Sequence, residues 1–224
     1  MARQQRAISA GTDVMGGHAH SALDAGFVTL AVMWFGMMSA MMAPTAWPWA
    51  RAYQRFSGAP RGAAVGATAQ FASGYLLAWL GYAIGAALVQ RALQQAALMQ
   101  PSGDIAIPGV GAAILLIAGV YQFAPLKRAC LTHCRTPLGY FLTRWIDGPI
   151  GALRMGLHHG LFCVGCCWAL MAIAFAVGAM NPWWMMALGA VALLEQTAPH
   201  GDLLRRILGA AFLAAGIFRL GVFA

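Results

Sequence analysis

Gly156-Leu157-His158-His159-Gly160-Leu161-Phe162-Cys163-Val164-Gly165-Cys166-Cys167-Trp168-Ala169-Leu170-Met171 decides the reading of this chain. The stretch opens an apolar segment long enough to cross a bilayer, yet it holds three of the five cysteines and a histidine pair. Thiols and imidazoles in such a segment are suited to a soft metal ion or to redox exchange. On a helix, positions i, i+4 and i+7 share a face. His159, Cys163 and Cys166 have that spacing, and their directions fall within about 60° at 3.6 residues per turn. Cys167 lies at the edge of that face, Met171 lies one turn beyond it, and His158 points elsewhere.

The composition agrees with a membrane setting. The 224 residues are 61% hydrophobic and 9% charged, against roughly a quarter charged in an ordinary soluble domain. A formal net charge of +8 would raise nucleic acid as a partner of a soluble protein. Here the basic residues sit between apolar segments, so the partner is the lipid bilayer and not nucleic acid. Met1 to His20 are polar and small and lack an apolar core, so the first spanning helix is expected to act as the targeting signal. The cysteines are too clustered for a secreted disulfide framework.

The expected fold is all-α: a polytopic membrane helix bundle of about six transmembrane helices with short loops. Residues 1–22 form a polar N-terminal tail, and residues 23–224 form a single transmembrane helical domain. The expected spans are Asp24 to Ala43, Ala63 to Val89, Ile105 to Ala124, Leu153 to Met180, Trp183 to Thr197 and Leu203 to Val222. The first stops at Pro44. Gly81 and Gly85 form a Gly-x-x-x-Gly pair that predicts close helix packing. Trp47, Trp49, Trp183 and Trp184 are expected at the interfaces.

Basic residues set the orientation. Arg51, Arg55, Arg61, Lys127, Arg128, Arg135, Arg144, Arg154, Arg205 and Arg206 follow the first, third and fifth helices or precede the fourth and sixth. Only Arg3, Arg6, Arg91 and Arg219 lie on the other side. This bias places the chain in a bacterial inner membrane with both termini periplasmic.

Two further motifs carry candidate donors. Met33, Met37 and Met41 recur every four residues in the first helix, and Met38 and Met42 form a second stripe beside them. Thioethers suit Cu(I), although methionine is also a common core filler. After the third helix, Cys130, His133 and Cys134 are spaced i, i+3 and i+4 and face one way on a helix. The assumed topology brings all these segments, with Glu195, to the inner half of the bundle. Glu195 is costly to ionise there and is expected to be functional or paired, with Lys127, Arg205 or Arg206 as partner. On the opposite side, Met15, His18 and His20 form a weak candidate copper pick-up in a flexible tail.

These motifs together resemble one family. They are Met37-Met38-Ser39-Ala40-Met41-Met42-Ala43-Pro44, Tyr121-Gln122-Phe123-Ala124-Pro125-Leu126-Lys127, Cys130-Leu131-Thr132-His133-Cys134-Arg135, the Gly156 to Met171 stretch, Met180-Asn181 and Glu195. The pattern resembles the bacterial family described as predicted metal-binding integral membrane proteins, over nearly the whole of Ala31 to Glu195. The resemblance implies metal binding.

The expected metal residues are His159, Cys163, Cys166, Cys167, Met37, Met41, Cys130, His133, Cys134 and Glu195, with Cu(I) as the ion and zinc as the alternative. Binding, transfer or delivery to a membrane cuproenzyme would serve copper homeostasis. The partners are the metal ion and a membrane oxidase or oxygenase complex or a copper chaperone; a stabilising subunit of such a complex would carry the same site. A competing reading from another class is a membrane thiol–disulfide oxidoreductase using the Cys163/Cys166 pair. No hydrolase motif or phosphate loop is present.

Overall fold

The computed structural model describes residues 2–58, 60–99, 105, 107–178 and 181–223. Side chains are described from Gly26 onward, apart from those of 61, 62, 108 and 223. Met15, His18, His20 and Met180 therefore lie outside the described side chains.

The described residues form an all-α bundle: α1 (Ala2–Phe56), α2 (Arg61–Gln95), α3 (Pro108–Phe123), α4 (Pro125–Arg135), α5 (Pro137–Thr143), α6 (Gly148–Ala172), α7 (Ala174–Val177), α8 (Pro182–Thr197) and α9 (Gly201–Phe223). Prolines open α3, α4, α5, α6 and α8 at their first turn, where the missing N–H costs nothing. At Pro125 the chain bends by 65° between α3 and α4, because the residue before a proline is driven out of the helical region. Ala124 accordingly has an extended ψ of 138°.

Among the described residues, three stretches are long and apolar enough to cross a membrane: Gly26–Phe56, Ala63–Gln95 and Gly148–Val177. A fourth exists if the bent pair Gly109–Phe123 and Pro125–Arg135 is one span. The six-span expectation thus exceeds what the described helices establish. The last two expected spans correspond to α8, which has 16 residues, and to α9, which carries Asp202, Arg205, Arg206 and Arg219.

Three local expectations are corrected. The first helix does not stop at Pro44 but continues through Pro44 and Pro48 to Phe56. Membrane helices tolerate such prolines where neighbours satisfy the backbone. The carbonyls these prolines leave without an intrahelical partner are those of Ala40 and Pro44; between them, the Thr45 and Tyr75 hydroxyls lie 2.8 and 3.4 Å from the Met42 carbonyl. Secondly, a Cβ on Gly81 or Gly85 would meet nothing within 4 Å. The close approach of α2 to α6 is made by Gly74 and Gly156, where a Cβ would overlap the backbone carbonyls of Leu153 and Phe71 respectively. Thirdly, Trp47 is exposed but Trp49 is buried at 1%. Positions i and i+2 on a helix point about 200° apart, so one of the pair faces outward and the other into the bundle.

Large buried aromatics fill the centre: Trp34, Trp79 and Phe71, with Met38 and Met42 among them. The cysteines of α4 and α6 belong to the same packed core as Trp34, Met38, Met42, Tyr75 and Trp79.

Candidate metal centre

Two helices build the centre. The bend at Pro125 lays α4 against α6, and the Cys130, His133, Cys134 face of α4 meets the His159, Cys163, Cys166 face of α6. The Sγ atoms of Cys134, Cys163 and Cys166 all lie within 4.8 Å of one another, and each residue is buried. Cys134 and Cys166 stand 3.9 Å apart, sulfur to sulfur. A thiolate lies about 2.3 Å from a bound ion, so three in a plane around it stand about 4.0 Å apart and two of a tetrahedral set about 3.8 Å. The spacing of these two thiols therefore suits ligation of one ion, and the third, within 4.8 Å of both, needs at most a small closure.

Cys167 lies beside the group, its sulfur 3.3 Å from that of Cys166. Gln196 of α8 covers the cluster. Its amide nitrogen points at Cys167, Cys166 and Cys163 at 3.4, 3.8 and 3.9 Å. The Tyr75 hydroxyl lies 3.3 Å from the Cys163 sulfur. The Gln196 N–H is a donor to sulfur; the Tyr75 hydroxyl has one proton, which goes either to the Met42 carbonyl or, when Cys163 is a thiolate, to its sulfur, so both groups can stabilise and orient a thiolate.

His159 is fully buried, and neither ring nitrogen has a hydrogen-bond partner. An unsatisfied buried polar group costs about 1–3 kcal/mol, which marks this imidazole as a free donor. Trp49 fixes its plane by stacking at 3.7 Å and 16°. The Trp49 indole N–H also donates to the Cys134 carbonyl at 2.9 Å, tying the histidine's stacking partner to the helix that brings Cys134. His159 stands outside the three-sulfur group.

The other expected residues are distributed differently. Cys130 is buried and packs on Gly165 of α6, where a Cβ would come within 3.0 Å of its sulfur. Glu195 is engaged in a buried ion pair with Lys127 at 2.7 Å, both side chains 1% exposed, and accepts from the Gln122 amide at 2.9 Å. His133 stacks on Phe162 at 4.1 Å and turns toward His158. Met37 and Met41 line a cleft of ≈ 560 Å³ between α1 and α8, together with Met33, Met185 and Met186. The second stripe, Met38 and Met42, is the one buried in the core with the cysteines.

Sequence reasoning missed Gln196, Tyr75 and Trp49. A glutamine beside Glu195 in a short apolar helix was a legible signal, since a buried amide needs partners. Tyr75 and Trp49 gave none, because their roles depend on where α1 and α2 cross α6.

Residues 31–219 match a family model described as PpoB2, copper chaperone. No curated protein and no solved structure matches the chain significantly. The buried thiol cluster and the long apolar helices fit a membrane copper-handling protein. With 189 of its 224 residues inside the match, from 31 to 219, the chain belongs to the PpoB2 copper chaperone family.

Proposed function

We propose that the protein binds Cu(I) as cargo on the Cys134, Cys163 and Cys166 thiolates and passes it to a membrane cuproenzyme or a partner chaperone. The observation that carries this reading is the three buried sulfurs converging from two helices at ligand spacing. Soft anionic donors in a dry site select Cu(I) over hard cations. Zinc would ordinarily complete a tetrahedral set with a fourth ligand, which Cys167 or His159 would have to supply. A trigonal site keeps Cys167 and His159 free as the next stations for an ion that must leave again.

Gln196 and Tyr75 hold the thiolates and limit water. The Met33, Met37, Met41, Met185 and Met186 cleft offers neutral thioethers, which bind Cu(I) weakly enough to exchange it. The basic bias then sets the protein in an inner membrane with six spans, both termini periplasmic and the thiol cluster in the inner half.

The test is anaerobic purification in detergent, followed by copper stoichiometry and free-thiol counts for wild type and the Cys163→Ser/Cys166→Ser variant. About one sulfur-ligated copper per chain, lost in the variant, supports the reading. A Cys163–Cys166 disulfide with no metal in wild type would replace it with thiol–disulfide exchange.

A further inference from the structure

We propose a second copper site, made of the imidazoles of His133 and His158, at a polar cavity next to the thiol cluster. It rests on the copper-handling reading and extends it. The cavity has a volume of ≈ 220 Å³ and is lined by His133, Thr136, Tyr140, Thr143, Arg144 and His158, among others. His133 Nε2 and His158 Nδ1 are both buried, and neither has a hydrogen-bond partner. Two orphaned nitrogens on neighbouring rings that line one cavity are a paired cost, and a cation shared between the rings would remove both at once.

The ring geometry fits. An imidazole nitrogen lies about 2.0–2.1 Å from a bound ion, which puts the ring centroid about 3.2 Å from it; two such rings at a tetrahedral or trigonal angle have centroids about 5.2–5.5 Å apart. The His133 and His158 centroids are 5.3 Å apart, with the planes at 67°. Neighbours hold both rings: Phe162 stacks on His133 at 4.1 Å, and Tyr140 stacks on His158 at 5.4 Å and 19°. Arg144 also lines the cavity. Its positive charge repels a dication twice as strongly as a monocation at the same distance, so the site favours Cu(I) over Zn²⁺.

Position gives the pair a role. His133 precedes Cys134 on α4, and His158 precedes His159 on α6. Adjacent residues on a helix point about 100° apart, so each helix presents one donor to the cavity and the next toward the thiols. The His133 ring lies 6.2 Å from that of His159, which itself has two free nitrogens. Copper at the pair is one short step from His159 and two from the thiolates. The cavity is thereby the port through which a partner exchanges copper with the buried cluster.

The test is anaerobic titration with Cu(I) alone against a chromophoric chelator, with X-ray absorption of the loaded forms. It is run on full-length wild type, His133→Gln/His158→Gln and Cys163→Ser/Cys166→Ser. About two ions are expected in wild type, one sulfur-ligated and one nitrogen-ligated. The histidine variant should keep only the sulfur-ligated ion, and the cysteine variant only the nitrogen-ligated one. If the histidine variant binds as many ions as wild type, or the cysteine variant holds no nitrogen-ligated copper, the second site is overturned. Should the histidine variant fail to fold, the cysteine variant decides alone. Absence of the sulfur-ligated ion from wild type would instead sink the thiolate reading and leave the imidazole result standing.

Discussion

The thiol cluster and the methionine cleft present the same element in opposite surroundings. Cys134, Cys163 and Cys166 are at most 5% exposed and sit under Gln196 and Tyr75. Met33, Met37, Met41, Met185 and Met186 line an open cleft, and Met186 is 59% exposed. Thiolates are anionic and fixed between two packed helices; thioethers are neutral and flexible. The first arrangement suits retention, the second exchange. Five of the eleven residues around the cleft are methionine, against 13 of 224 in the chain. A shift of one residue separates the two surroundings in α1: Met37 and Met41 face the cleft, while Met38 and Met42, about 100° away, fill the core beside the cysteines.

The largest effect that would break this contrast is on the cluster itself. The Cys163→Ser/Cys166→Ser variant should lose its sulfur-ligated copper to background, measured by mass spectrometry on protein that still migrates as a folded species. Retention of that ion in the variant would mean that Cys163 and Cys166 are not its essential ligands.

Next in size is the buried ion pair, which tests whether Glu195 is structural. Lys127→Met alone leaves an uncompensated carboxylate and should cost about 3–5 kcal/mol, read from thermal unfolding in detergent. Lys127→Met/Glu195→Leu should recover most of that loss and bind copper as wild type does. Copper loss in the recovered double variant would place Glu195 in the metal site.

Smaller changes are expected from the groups around the sulfurs. Tyr75→Phe and Gln196→Ala should each weaken copper affinity by about 10–100-fold without changing stoichiometry, as removal of an outer-shell donor does. Equal affinity in both variants would reduce these contacts to packing.

The smallest equilibrium effect belongs to the cleft. Met37→Leu/Met41→Leu is a near volume-conserving swap, with a stability cost below about 1.5 kcal/mol per site. Copper affinity should stay close to wild type while loading slows, a split visible in stopped-flow transfer from a copper donor. Loss of affinity would instead join the cleft to the retention site.

Most of the helical architecture was legible, because its signals are local. Apolar runs of spanning length mark the elements without any tertiary knowledge, whereas Pro44, read as a stop, lies inside α1. The shared face of His159, Cys163 and Cys166 was legible for the same reason, since helical periodicity fixes directions along one element. What lay beyond reach depends on how elements cross. Trp49 read as an interfacial residue and is a buried stacking partner of His159. Gly81 and Gly85 read as a packing motif, while Gly74 and Gly156 make the close contact. The choice between the two methionine stripes turns on the rotation of α1 against α8, which no spacing within α1 encodes. Glu195 and Lys127 were candidates for each other among three cations, and only the 65° bend at Pro125 selects Lys127.

The most direct measurement is copper-edge X-ray absorption on anaerobically loaded wild type beside Cys134→Ser. The account predicts a sulfur-rich shell in wild type that loses one sulfur when Cys134, the single ligand from α4, is replaced. An unchanged sulfur shell in the variant would contradict a centre shared between α4 and α6.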